Sequence, residues 1–188
     1  NDLIDRSRQI PDLQRTAQGN CALPEVIIEA QLVEDKSAER ANLDIALSIL
    51  SDAIESGREN GLGQDGATQC LLSCIQALKK NYGRSKKSLE AANASYQSQP
   101  VMQDRFNIIL CQARLEGLKN NFSKAFDLYN ESIKLLEKME GRWWHARIWL
   151  EMGNLHLRRN EPEDIDQAQN LFRESLAEFK DMGVDYYP

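Results

Sequence analysis

The stretch RWWHARIWLEMGNLHLRRNEPEDIDQAQNLFRESLAEFKDMG, residues 142–183, decides the fold. Small Gly153 stands four positions after bulky Trp149, and small Ala168 and Ser175 stand four before and three after bulky Phe172. That step puts them on one face of a helix, and Pro162 falls between two such segments. The stretch therefore reads as two helices, 142–159 and 163–182, joined by a short turn.

The same grammar extends toward the N-terminus. Apolar spacing of three or four recurs at Ile45, Ile49, Leu50 and Ile54, and again at Ala125, Leu128, Tyr129, Ile133 and Leu136. No sustained alternation signals a strand, so the chain reads as all-α. Eight helices are expected, near 24–35, 38–56, 66–80, 84–97, 102–119, 122–139, 142–159 and 163–182. Gly57 is expected just past the second, where glycine commonly ends a helix.

The hairpins repeat. Ala46, Ser85, Ala125 and Ala168 open the second helix of each pair, separated by 39, 40 and 43 residues. Four residues after each comes a large apolar group (Leu50, Leu89, Tyr129, Phe172), and three further on a small one (Ala53, Ala92, Ser132, Ser175). Glu34, Ser73, Ala113 and Gly153 hold the matching place on the first helices. Small residues let helices approach closely, and a period near 40 indicates stacked helix–turn–helix units.

These residues carry a family resemblance. The chain resembles tetratricopeptide (TPR) proteins, most closely through Trp149, Met152, Gly153 and His156 followed by Ala168, Phe172 and Ser175. Its long units look like those of bacterial MalT-like regulators and signal-transducing ATPases. The resemblance implies a right-handed superhelical α-solenoid of about four repeats over 24–182, with units near 24–57, 65–97, 102–139 and 142–182. Residues 1–23 would be an extension or capping segment, and 183–188 an end truncated from a longer chain.

By the same resemblance, first helices line a groove that takes a partner peptide or helix. The groove residues would be Ala67, Cys70, Leu71, Cys74 and Leu78, then Asn107, Leu110, Cys111, Arg114 and Leu118, then Arg147, Leu150, Glu151, Asn154 and Arg158. Apolar anchors near Leu71 and Leu110 would lead to an arginine- and asparagine-bearing end suited to carboxylates and amides. The competing reading packs the cysteines and leucines inside and leaves the arginines solvated. The lysine/asparagine clamp of chaperone-binding TPR domains is missing from these positions. A small effector in the groove is the alternative ligand, and self-association through the last helix a third reading.

Other classes fit poorly. With 41% hydrophobic and 28% charged residues, the chain is too apolar for wholesale disorder and too charged for a membrane protein. The net charge of −6 opposes direct nucleic-acid contact, and the basic run Lys79, Lys80, Arg84, Lys86 and Lys87 reads as a solvated turn. Four cysteines in 188 residues are too few for a disulfide scaffold, which points to a reducing, cytoplasmic setting. Cys70 and Cys74, one turn apart, read as small buried apolar groups rather than a metal pair. The Gly57–Gly63 loop lacks a P-loop lysine, and no catalytic motif is present, so neither enzyme nor cofactor is expected. His145 and His156 read as satisfied or surface groups. Of Trp143 and Trp144, one is expected to pack and the other to face a partner.

Overall fold

A computed structural model describes residues 40–59, 66–98, 100–139 and 141–183. They form seven helices: α1 Arg40–Glu59, α2 Gly66–Leu78, α3 Tyr82–Ser98, α4 Met102–Leu118, α5 Phe122–Leu136, α6 Arg142–Arg159 and α7 Asp164–Asp181. No strand occurs among the described residues. The described residues are all-helical, as the periodicity implies, while the expected helix at 24–35, the segment 1–23 and residues 184–188 lie outside them. Gly57 corrects one expectation, because α1 runs through it to Glu59. A glycine inside a helix costs only about 1 kcal/mol against alanine, which the rest of the helix can absorb.

The described residues divide into two compact units, with the boundary between Cys111 and Gln112 inside α4. In the first unit, α1 packs on α2 and α2 on α3. Leu43, Ala46 and Leu50 of α1, Ile75 of α2 and Ala92 of α3 are buried. Ser73 and Ser85, marked as small positions by their spacing, meet across the α2–α3 hairpin. The Ser73 hydroxyl donates to the Ser85 carbonyl at 2.8 Å and lies 3.0 Å from its hydroxyl. Serine here gives a close approach with no buried polar group left over.

In the second unit α6 packs against both α5 and α7. The Ser175 hydroxyl donates to the Ala146 carbonyl at 2.7 Å, repeating the serine device. A Cβ built on Gly153 would lie 2.3 Å from the Phe172 ring, so glycine is what lets the ring sit on the α6 backbone. Ala125 and Ala168 are fully buried, as their place at the hairpin crossings requires.

The turns repeat as well. Lys80, Asn120 and Asn160 adopt left-handed backbone at φ near +60°, spaced by 40 residues each time. After α2 and α4 the turn closes identically. The Lys80 and Asn120 amides bond Ala77 and Gly117, while Asn81 and Asn121 reach back to Gln76 and Glu116. This double closure satisfies the last helix carbonyls. Side chains copy the pattern, Asn81 Nδ2 donating to Gln76 and Asn121 Nδ2 to Glu116. After α6 only the single bond from Asn160 to His156 forms. There the next amide, that of Glu161, donates instead to the Asp164 carboxylate at 2.7 Å.

Two substitutions test this packing. Gly153→Ala should destabilise by about 1–3 kcal/mol and lower Tm by several degrees, with Phe172→Leu recovering part of the loss. Lys80→Gly should stabilise by about 1 kcal/mol, because glycine adopts the left-handed region without a Cβ penalty. Thermal and urea melts read both.

Candidate functional site

The first-helix positions expected to line a groove divide into two groups. Ala67, Leu71 and Leu78 of α2, Asn107 and Leu118 of α4, and Leu150, Asn154 and Arg158 of α6 are half-buried and retain surface. Cys70, Cys74, Leu110, Cys111, Arg114, Arg147 and Glu151 are buried. Leu110 therefore is no surface anchor, and the expected arginine-bearing end is turned inward at Arg114 and Arg147.

In the first unit the cysteines close a short thiol chain. Cys74 Sγ donates to Cys111 Sγ at 3.6 Å, and Cys111 Sγ donates to the Cys70 carbonyl at 3.4 Å. The adjacent Cys70 thiol, together with burial, pushes the Cys111 thiol well above its ordinary range against the opposing hydrogen bond from Cys74. A neutral buried thiol behaves as a small apolar group and a poor nucleophile. Among the described residues no group of three or more His, Cys, Asp or Glu side chains is placed to hold a metal ion.

In the second unit charge is gathered at Glu151. Arg114 of α4 grips it with both arms of its guanidinium, Nε to Oε2 at 3.0 Å and a terminal nitrogen to Oε1 at 2.6 Å. Tyr129 of α5 donates its hydroxyl to Oε2 at 2.9 Å. Burial alone would raise the Glu151 carboxyl. The charge and hydrogen bonds of Arg114, the charge of Arg147 and the Tyr129 hydroxyl outweigh it and hold the group below its usual range. Arg147 lies over the Trp143 ring at 4.6 Å, a cation–π contact. With the Arg114 side chain only 4% exposed, this guanidinium is spent on joining α4 to α6 and not on a partner's anion.

Arg158 is also engaged, donating to the Gly117 carbonyl at 3.1 Å and the Asn120 side chain at 3.2 Å. It thus caps the C-terminal end of α4, where a cation meets the negative end of the helix dipole. Asp164 anchors the turn after α6. It accepts from Arg159 at 2.6 and 3.0 Å, lies 2.6 Å from His156 Nδ1 and receives the Glu161 amide. The Arg159 bonds chiefly, against the cost of burial and with help from His156 and Glu161, hold its carboxyl far below the ordinary range. His156 stacks on Phe126 of α5 at 4.3 Å. His145 departs from the expected satisfied histidine, its Nε2 being buried with no hydrogen-bond partner among the described residues.

Two surface features remain. Lys79 pairs with Asp44 and Lys86 with Glu90, while Lys80, Arg84 and Lys87 are exposed around the turn. Trp143 is exposed and Trp144 half-buried, edge to face at 5.1 Å.

No family model, curated protein or solved structure matches the chain. The Tyr129 hydroxyl and the Asp164 turn escaped sequence reasoning. Asp164 had one sequence signal, the three residues by which the last separation exceeds the usual 40.

The buried pair gives a direct test. Arg114→Met or Glu151→Gln alone should cost about 3–5 kcal/mol, because each strands a buried polar partner. The double change to Met and Leu should cost far less than the sum, as read from a denaturant double-mutant cycle. Asp164 sets a pH dependence. Its folded-state pKa is depressed, so its contribution is complete above the ordinary carboxylate range near ~3.9 and is lost as pH falls toward the folded value. The stability gap between wild type and Asp164→Asn should accordingly narrow between pH 7 and pH 3 in urea titrations.

Proposed function

We propose that the chain is a TPR-like α-solenoid segment that binds a protein partner, serving a larger signalling or transcription-regulatory protein without itself carrying out catalysis. The observation that carries this reading is the recurrence at 40 residues of one turn geometry at Lys80, Asn120 and Asn160, set beside small residues at the hairpin crossings. Repeated hairpins of this kind present their first helices as a recognition surface.

The recognising residues are the half-buried members of those helices. Leu71 and Asn107 serve in the first unit, and Leu150 and Asn154 in the second. Leucine supplies apolar contact, and asparagine offers both a donor and an acceptor to peptide amides. Arg114 and Arg147 act beneath this surface, fixing α4 and α6, so changing them would disturb the fold before it touched a partner.

The test is affinity capture from cytosol with the 188-residue chain and with Leu71→Glu and Asn154→Glu variants, folding being checked by circular dichroism. A protein retained by wild type and depleted about tenfold or more with either variant supports first-helix recognition. Equal capture by all three proteins sinks it.

A further inference from the structure

The α6–α7 hairpin leaves an apolar stripe open along one side. Trp143, Leu150 and Leu157 follow one another by seven residues on α6, and Ile165, Phe172 and Leu176 by seven and four on α7. Each series shares a helix face. Exposure reaches 39% at Trp143, 46% at Leu157, 56% at Ile165 and 50% at Leu176. The antiparallel pairing fixes both series on one side of the hairpin: Phe172 lies over Gly153, Ser175 bonds Ala146, and Phe179 meets Trp143. The opposite flank of α6 is already occupied, since Ile148, Met152 and Leu155 are buried and α5 packs there.

The polar edge of this stripe is mainly cationic. Arg173 and Lys180 are exposed on the same side of α7 and Arg158 is half-buried at the α6 edge, against Asp166 as the acid on that rim. Two copies joined symmetrically through this face would set like charges against each other, a cost that works against a second copy of the chain. From Ile165 to Leu176 the stripe covers about 16 Å, or three helical turns.

We infer that this face docks an amphipathic helix of a partner protein, with an aliphatic ridge seated between α6 and α7 and carboxylates along its flanks toward Arg173 and Lys180. Three turns of ridge, spaced i, i+4, i+7, match the length of the stripe. Docking covers the four exposed apolar side chains, and the flanking charges set its direction and salt dependence.

The probe is a fluorescein-labelled synthetic 18-residue helical peptide with a leucine ridge and glutamate flanks, titrated with the full chain and read by anisotropy. Its partner probe replaces the glutamates by lysines. The acidic peptide should bind at least about tenfold tighter than the basic one. Ile165→Glu with Leu176→Glu should abolish binding, and Arg173→Glu with Lys180→Glu should reverse the preference, which mere loss of structure would not do. All four sites are exposed, so circular dichroism should stay unchanged. Leu150 belongs both to this stripe and to the proposed first-helix surface, so the inference rests in part on that reading. Leu71→Glu, which should leave the peptide titration untouched, separates failure of this face from failure of the first-helix surface. Equal binding of the two peptides, or binding that survives the Ile165 and Leu176 changes, overturns the inference. Concentration-dependent dimerisation in sedimentation that Leu176→Glu abolishes would also overturn it, assigning the face to a second copy.

Discussion

Close approach of helices at a few small side chains is the constraint on which these hairpins depend. Gly153 gives up its side chain so that the Phe172 ring can lie on the α6 backbone. Ser73 and Ser175 solve the same problem while keeping a hydroxyl, because each finds a carbonyl on the facing helix. A larger residue at any of these places must move a ring or a backbone, and both are costly in a close-packed interior. Position in the hairpin therefore dictates size first, and polarity only where a carbonyl is in reach.

The second unit adds an electrostatic fastening. Arg114, Tyr129 and Glu151 come from three successive helices and meet at one carboxylate. Buried ion pairs are poor sources of net stability, since desolvation consumes most of the attraction. Their geometry is nonetheless demanding, as a bidentate fork tolerates little rotation. The arrangement fits a role in fixing the register of α4, α5 and α6, where apolar side chains alone would allow sliding.

Much of the fold was legible in the sequence because apolar periodicity and small residues are local signals. The reading of 142–159 as one helix agrees with α6 to the residue. Helix ends after α2 and α5 came out shorter than the periodicity suggested, since Lys80 turns left-handed and residues 137–139 tighten into a turn. Nothing in the spelling of Lys80 announces positive φ, whereas Asn120 and Asn160 are residue types that tolerate it. The candidate site was read less well. The resemblance implies a groove lined by Arg114, Arg147 and Glu151, yet membership of a first helix does not by itself fix which way that helix is rotated. The network turned out to lie inside. Tyr129 shows the limit most clearly: its spacing marks only a bulky apolar filler, while its hydroxyl is a working donor to Glu151.

From the left-handed residue to the small residue at the next crossing, the α6–α7 junction runs three residues longer than its counterparts, but the hairpin still packs with Ala168 at its crossing. Asp164 explains how, by supplying acceptors for the Glu161 amide and the Arg159 guanidinium that the shorter turns do not need. Loop length and helix pairing are thus decoupled at that junction. An added residue there is accommodated as long as the junction supplies its own acceptor, so the path between the two helices can lengthen while α6 and α7 stay paired.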